Sequence, residues 1–489
     1  MAWRQLTGAL ALGLVVVLGG CSAIVSPDEG LLGGAGPDGG FDTGVPGSDS
    51  STPPRDSGVR GDSSVTPTDS GVVSDTGTPL PCDFDVRCAG DRLETCAGGA
   101  VSDIRCALGC DDTGAVPACA QMIPSNVEAT LWRGDAPDVV IESALGFDTS
   151  DCAATSAPTT IVAQEGALEL CVLSTGDFEI RERGSLVVTG SRPLVIMAAG
   201  DVRIIGALNV SADGQEGGPG GFGGGTLSRD SGLWDGRGPF GGEAGEHTSA
   251  YDDGGGGGGG LCSHGGNGGA GGTAAGGVSG GRVDASWELV PLFGGSGGGR
   301  GRGYVSTIGR GTNAGFGGAG GGALQISTRG TISLSGVITA GGGGGLPGRN
   351  AFLMTDNWGS GGGGGAGGAV LLEAPVIRFD GGRVLAGGGG GGGSAGRDSD
   401  GAAGDNGGAG TAAGGAGDTV RGAPGGNGSG PTVLSGLVGG DNLSSNANGG
   451  GGGGAAGCLL FRTADATVDG VTMTNPSAVP GVRLLPVRR

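Results

Sequence analysis

Short runs of alternating apolar and polar residues recur along this chain, and several of them are followed at once by glycine. The clearest run covers residues 323–340 and leads directly into five glycines at 341–345. Related runs begin near Leu194, Ala369 and Cys458. Alternation with a period of two predicts β-strands with one buried face. Because a single short run cannot bury that face alone, we interpret the runs as stacked rungs of a β-solenoid.

Two further runs lie back to back and suggest the length of one rung. Their leading glycines, Gly176 and Gly200, are 24 positions apart, which is within the range typical of stacked repeats. Taking Gly206, Gly336, Gly381 and Gly470 as equivalent corners predicts inward residues two and four positions earlier. These are Ile204, Leu334, Phe379 and Val468, with Val202, Ile332, Ile377 and Ala466. A sandwich of two sheets remains the alternative.

Long glycine-rich inserts separate the later rungs, at 214–322, 341–368 and 387–457. We expect them to leave after the second strand of a rung and to return before the first strand of the next, at one equivalent corner. Such sequence can be a flexible linker, or it can form packed polyglycine helices that pair sideways with parallel neighbours. We expect partial packing against the solenoid. Aromatic residues in or beside the inserts are expected to pin loops rather than to form a binding surface, namely Trp234, Trp287, Trp358, Phe240 and Phe293.

Composition narrows the possible partners. Glycine accounts for 126 of 489 residues, only 4% of residues are aromatic, and the net charge is −21. An acidic surface repels nucleic acid and anionic lipid, so we expect neither as a partner. Apolar residues are concentrated in a few short runs, so burial must be local to the rungs.

The first twenty residues indicate export. Arg4 precedes an apolar run at 10–18 that is too short for a membrane span. The sequence Leu18-Gly-Gly-Cys21 resembles the lipobox of bacterial lipoproteins, which implies a diacylglycerol on Cys21 and a lipid anchor. Ser22 follows that cysteine, and the resemblance therefore implies the outer membrane. The next segment, to residue 80, is rich in Gly, Pro, Ser, Thr and Asp, which predicts a disordered tether.

Ten further cysteines are candidates for disulfides, since an exported location permits them. Six fall in one short block with few apolar residues, and three bridges would stabilise it, whereas a zinc site lacks paired ligands there. We expect Cys152 to pair with Cys171, and Cys262 with Cys458. Short cysteine blocks after such a tether resemble those in surface lipoproteins of myxobacteria. The block cysteines are Cys82, Cys88, Cys96, Cys106, Cys110 and Cys119.

One stretch of the first insert, 264–272, reads His-Gly-Gly-Asn-Gly-Gly-Ala-Gly-Gly. It resembles the glycine-rich repeats of the PGRS proteins of mycobacteria. The resemblance covers only the inserts, because the helical amino-terminal domain of that family is absent here. It implies a glycine module at the cell surface, in a matrix-like setting.

The residues offer little for catalysis. The two histidines, His247 and His264, both lie in the first insert, and Cys262-x-His264 supplies only two metal ligands. Asp201, Glu373 and Asp380 lie near rungs, but nothing in the sequence places two carboxylates at the separation a glycosidase needs. Tandem copies of the calcium-binding nonapeptide of β-rolls are missing. We expect no cofactor and no metal.

These patterns together predict an all-β chain: a parallel β-solenoid interrupted by glycine-rich inserts, preceded by a disulfide-stapled block and a disordered tether. The function that fits is a non-catalytic structural or adhesive lipoprotein of the outer membrane and cell surface, which contacts matrix, polysaccharide or surface proteins. The alternatives are a carbohydrate-active enzyme on a β-helix and a calcium-dependent binding module. The expected divisions are 1–20 (signal peptide), 21–80 (lipidated cysteine and tether), 81–122 (cysteine block), 123–213 (first rungs), 214–322 (insert), 323–340 (rung), 341–368 (insert), 369–386 (rung), 387–457 (insert) and 458–489 (last rung and tail).

Overall fold

The computed structural model shows a chain whose described residues are nearly all β, with one short 3-10 helix among them at Ala129–Leu131. In the part of the chain that it describes, no helix is long and apolar enough to cross a bilayer. The predicted signal peptide, Cys21 and tether lie outside that part. The described residues are 82–153, 157–226, 234–249, 252–284, 286–303, 313–350, 358–444, 446–464, 467–468, 474–475, 480–484 and 487–488.

The cysteine block is a short stretch of strands held together by disulfides. Its first three strands form an antiparallel sheet, and its edge strand exposes every residue, including Val101 and Ile104. So little apolar surface is buried that the three bridges must supply much of the stability. The strands are β1 (Val86–Ala89), β2 (Arg92–Ala97), β3 (Ala100–Arg105), β4 (Cys110–Asp111), β5 (Ala118–Cys119) and β6 (Gln121–Met122). The bridges are Cys82–Cys96, Cys88–Cys110 and Cys106–Cys119.

The rest of the chain forms the solenoid and its inserts. The strands up to the first insert are β7 (Val139–Ile141), β8 (Ala144–Asp148), β9 (Thr159–Val162), β10 (Leu170–Thr175), β11 (Phe178–Ile180), β12 (Ser185–Thr189), β13 (Leu194–Ala198), β14 (Val202–Ile204) and β15 (Ala207–Asn209). Those that follow are β16 (His247–Ser249), β17 (Asp252–Asp253), β18 (Ala323–Thr328), β19 (Thr331–Leu334), β20 (Val337–Thr339), β21 (Ala369–Glu373), β22 (Val376–Phe379), β23 (Arg383–Leu385), β24 (Cys458–Thr463), β25 (Thr474–Asn475), β26 (Pro480–Leu484) and β27 (Val487–Arg488).

Three sheets run along the solenoid, and each complete rung contributes one strand to each sheet. Sheet A has the order β26-β24-β21-β18-β13-β10-β9, sheet B has β22-β19-β14-β11-β7, and sheet C has β25-β23-β20-β15-β12-β8. Successive rungs pair in parallel, and only β9 is antiparallel to its neighbour. Parallel stacking of successive repeats is the arrangement of a solenoid, and it excludes the sandwich.

The predicted inward positions are confirmed where the structure describes them. Val202 pairs with Ile332, which pairs with Ile377, and all three are buried. The residues two positions further along, Ile204, Leu334 and Phe379, stack in the same way. Partly buried Val468 packs against this core. Ala466 and Gly470 lie outside the described residues.

One predicted corner is shifted by a residue. Leu334 pairs with Phe379, but Val337 pairs with Arg383, so the rung formed by β21, β22 and β23 holds one extra residue between its second and third strands. The glycine stacked at this corner is therefore Gly382, whose added Cβ would lie 2.2 Å from the carbonyl oxygen of Leu334. Gly381 accommodates the extra residue, because its φ of +83° is readily adopted only by glycine.

Sheet A is buried on both faces. Its inward side chains belong to the solenoid core, and its outward side chains form a second core with the 122–132 segment and parts of the first insert. Every residue of β13 is therefore buried, whereas β14 and β15 alternate. Burial on both faces explains why strands of sheet A, such as Leu194–Ala198, are continuously apolar instead of alternating.

Candidate functional site

The three inserts leave the solenoid at one corner, but after the third strand of a rung rather than the second. They follow β15, β20 and β23, and the chain returns at β18, β21 and β24. The sequence expectation was wrong because each complete rung has three strands. All inserts therefore emerge on the same side and can pack against one another, and we call the assembly they form the polyglycine body.

The segment 254–260 at the centre of this body has a hydrogen-bond period of three. Gly256 and Gly259 donate their amides to the carbonyls of Gly361 and Gly364, each at 2.9 Å. The other amides of 254–260 donate to carbonyls in other segments of the first insert. These pairs are Gly255 with Gly269 (3.0 Å), Gly258 with Gly266 (2.8 Å), Gly257 with Glu243 (2.8 Å) and Gly260 with Phe240 (2.9 Å). A three-residue period with sideways bonding is the geometry of a polyglycine II helix.

The same segment also accepts bonds from three further segments, so it has six neighbours. Gly277 and Gly280 donate to Gly255 and Gly258, both at 2.8 Å. The other donors are Gly452 to Gly256 (2.8 Å), Ala455 to Gly259 (3.0 Å) and Gly299 to Gly257 (2.7 Å). Six neighbours around one helix describe hexagonal packing. Packing of the inserts is thus observed, and it is more extensive than the partial packing expected from the sequence.

The neighbours do not all run in the same direction, as the sequence analysis had assumed. Partner numbers rise along the segment for Gly361 and Gly364, which indicates a parallel neighbour, but they fall from Gly269 to Gly266, which indicates an antiparallel one. Both directions work because amides and carbonyls of this helix project sideways, in three directions around the axis.

Glycine is required inside the body by close backbone approach. An added Cβ at Gly256 would lie 2.1 Å from the carbonyl oxygen of Gly299, and one at Gly258 would lie 1.9 Å from that of Gly453. A contact below 3.0 Å forces the backbone to shift. The buried glycines are therefore a packing requirement, not a source of flexibility.

The asparagines that interrupt the glycine triplets cap the edge of the body. The side-chain oxygen of Asn267 accepts the amide of Ser279 at 2.9 Å, and that of Asn427 accepts the amide of Gly414 at 2.9 Å. Asn406 does the same for Gly344 at 2.8 Å. Each side chain thus replaces a neighbouring segment where the packing ends. This capping role was not predicted from the sequence, although Gly-Gly-Asn recurs in two inserts.

Two predicted disulfides lie in the solenoid region, and one of them joins parts that are distant in sequence. Cys152 is bonded to Cys171 of β10, and Cys262 is bonded to Cys458 of β24, with Cα atoms 5.4 Å apart and 196 residues between them in sequence. The second bridge fastens the first insert to a late rung. It also removes Cys262 as a metal ligand, so the pair Cys262-x-His264 cannot bind metal through sulfur.

Most aromatic residues of the inserts contact neighbouring side chains, in keeping with a role as pins. Trp287 and Phe293 stack with ring centroids 4.6 Å apart and pack against the second core. Trp234 lies under the guanidinium of Arg302, 4.0 Å from the ring centroid. Trp358 is buried.

Of the carboxylates near the rungs, Asp201 has a structural role at a corner. The Oδ1 atom of Asp201 accepts the amide of Thr331 at 2.8 Å and so links two rungs at a corner. Asp177 Oδ1 accepts the amide of Asp201 in the same way at 2.7 Å. Asp380 is exposed, and its amide bonds to Leu334.

Glu373 is the centre of a buried polar network on the outer face of sheet A. It lies in register between Ser327 and Arg462, accepting from the Ser327 hydroxyl at 2.8 Å and from Arg462 at 3.2 Å. Gln325 donates a further bond at 3.0 Å, and Ser125 closes the network from the 122–132 segment. Arg462 also donates to Glu288 of the first insert at 2.6 Å. The network therefore holds the 122–132 segment and the first insert on the sheet, and the Glu373 carboxylate is already satisfied.

A second ionisable group is buried inside the polyglycine body. Asp253 is 1% exposed, and its carboxylate lies 2.6 Å from Nδ1 of His247. Burial raises the pKa of Asp253 to about 6, although His247 and Arg302 act in the opposite direction. Burial also lowers the pKa of Arg300 to about 10. The arrangement is a buried carboxylate paired with a histidine whose side chain is 42% exposed, with two arginines nearby.

Within the described ranges, no group of three or more His, Cys, Asp or Glu residues is placed to hold a metal ion. No protein-family model, curated protein or solved structure matches this chain. The candidate functional surface considered below is the outside of the polyglycine body, where Asn267 is exposed.

Proposed function

We propose that this protein is a non-catalytic structural and adhesive lipoprotein, anchored in the outer membrane through lipid on Cys21. It presents the polyglycine body to matrix, polysaccharide, surfaces or neighbouring cells. The lipobox-like Leu18-Gly-Gly-Cys21 and the tether composition support the anchor, because a long polar chain after the lipid would hold the folded part away from the bilayer.

The observation that carries the proposal is the six-neighbour packing around 254–260. Ordering a residue costs about 1–2 kcal/mol of backbone entropy, and glycine loses more than other residues. The sideways hydrogen bonds and close contacts offset that cost and produce a preorganised surface. A preorganised surface loses little entropy on binding, which is the property required of an adhesive or scaffolding face.

Charge supports contact with neutral or cationic material. The chain carries 48 acidic and 27 basic residues, so its net repulsion from anionic surfaces is long-ranged at low salt. Contacts with other surfaces should therefore form through uncharged parts of the polyglycine body. Salt should screen the repulsion from the acidic parts.

Deletion of the gene tests the proposal. We expect cell cohesion and attachment to a substratum to fall in the deletion strain and to return when the wild-type gene is restored. A Cys21→Ser variant should fail to restore them, because the lipid anchor is lost, and labelled fatty acid should no longer be incorporated. Unchanged cohesion and attachment in the deletion strain would contradict the proposal.

A further inference from the structure

All the Asn-Gly pairs of the chain lie in the glycine-rich inserts. The asparagines are Asn267, Asn406, Asn427 and Asn448. Asparagine followed by glycine is the pair most prone to deamidation, because glycine has no side chain to hinder attack by its own nitrogen and adopts the required conformations readily. In a flexible linker, each of these pairs would therefore be a site of spontaneous chemical change.

Deamidation needs an amide nitrogen that can turn towards the asparagine side chain. The nitrogen of the glycine loses its proton and bonds to Cγ of the asparagine, and the Cγ–Nδ2 bond breaks. The side-chain nitrogen leaves as ammonia and carries the proton with it. Water then opens the succinimide at either carbonyl, which yields isoaspartate or aspartate. No electrons are transferred, and water is the only other reactant.

The packing of the polyglycine body holds the attacking nitrogen in a hydrogen bond at every pair. Gly268 donates its amide to the carbonyl of Gly277 at 2.9 Å. A donated hydrogen bond keeps the proton on the nitrogen and fixes the plane of the peptide, so attack requires the segments to separate first. The other pairs of donor and acceptor are Gly407 with Gly342 (2.8 Å), Gly428 with Ala412 (2.9 Å) and Gly449 with Asp253 (3.0 Å).

The side chains of these asparagines are restrained as well. Asn267, Asn406 and Asn427 accept amides of neighbouring segments through Oδ1, and this restrains the rotation that would bring Cγ to the nitrogen. All three are exposed, so lack of water cannot protect them. Asn448 is 1% exposed and is shielded from water in addition.

We infer that the four Asn-Gly pairs are modification sites whose conversion to isoaspartate and aspartate is blocked while the polyglycine body is packed and proceeds when it opens. The loss of ammonia makes the change permanent. Isoaspartate also adds a carbon atom to the main chain, which interrupts the three-residue period on which the sideways hydrogen bonds depend. The inference goes beyond the adhesive role and does not depend on it, because it rests on the packing of the inserts alone.

Mass spectrometry of peptides from aged protein tests the inference. Purified full-length protein is incubated at mildly alkaline pH, either folded or unfolded in guanidinium chloride with its disulfides reduced. We expect each of the four pairs to deamidate at least about tenfold more slowly in the folded protein, since attack must wait for the segments to open. Equal rates in the two states would overturn the inference.

A Gly277→Ala variant tests the hydrogen bond at one pair. A Cβ at Gly277 would lie 2.0 Å from the carbonyl oxygen of Glu243, so the segment that accepts the Gly268 amide must shift. Asn267 should then deamidate several-fold faster than in the wild type, whereas Asn427 should keep its wild-type rate.

Gly410→Ala is the matched control, because a Cβ there meets nothing within 4 Å, and it should leave all four rates unchanged. An unchanged rate at Asn267 in folded Gly277→Ala protein would overturn the inference. Equal acceleration at all four pairs would show that this variant has unfolded, and the comparison of folded with unfolded wild type then decides.

Discussion

Asp253 shows how a single residue can make the polyglycine body sensitive to pH. Its carboxylate is buried beside His247, with Arg302, Arg300 and Asp252 as the other charged groups around it. Because burial raises its pKa from 3.8 to about 6, the folded protein binds this proton more tightly than the unfolded chain does. The stability it contributes is fully present below about pH 4 and is lost as the pH rises through about 6.

An Asp253→Asn variant isolates this contribution. At pH 4 the variant and the wild type should melt alike, since both carry a neutral side chain at this position. Between pH 4 and pH 7 the variant should become more stable than the wild type, by up to about 3 kcal/mol. Thermal melts at a series of pH values measure the difference, and a difference that does not change with pH would contradict the assignment.

At the residue scale, the sequence predicted the core better than it predicted the body. Ile204 and Leu334 could be placed inward because alternation has a fixed period and one rung's register carries over to the next. Asn267 could not be recognised as a cap, because a flexible linker and a packed helix share the same composition. The difference between them lies in partners far away in sequence, which no local pattern reveals.

At the element scale, each buried glycine helix depends on the absence of side chains. A Gly256→Ala variant places a methyl group 2.1 Å from the carbonyl oxygen of Gly299, so neighbouring segments must separate. We expect a loss of about 2 kcal/mol in the free energy of unfolding, as for other overpacked interiors. Gly410→Ala is the matched control, because a Cβ there meets nothing within 4 Å. Equal melting temperatures for the two variants would argue against close packing.

The strands themselves were predictable as elements, but their number in a rung was not. The third strand, such as β15 or β20, has only three residues, and its short alternation merges with the corner glycine before it. The extra residue at Gly381 could not be predicted either, since a single insertion at a corner leaves the alternation of apolar residues intact on both sides. The glycine helices of the inserts were harder still to predict, because their hydrogen-bond partners are far away in sequence. Gly256, for example, bonds to Gly361 and Gly452.

At the scale of the whole molecule, the solenoid and the polyglycine body share sheet A. Its outward residues lie in a core with Leu261, Leu289 and Leu292 of the first insert. The Cys262–Cys458 disulfide joins the same two parts, and so does the bond from Arg462 of the Glu373 network to Glu288 of the first insert. The acidic chain is thus built around two apolar cores, one on each face of sheet A, and a third interior made of glycine backbone.

Hydrogen exchange on the folded protein tests the central claim, that the glycine inserts are ordered and packed. The amides of 254–260 should exchange as slowly as those of buried strands such as β13, because both are hydrogen-bonded and shielded from water. Peptides from this segment resolved by mass spectrometry give the comparison. Protection equal to that of β13 is the predicted result, and exchange at the rate of an unstructured chain would contradict it.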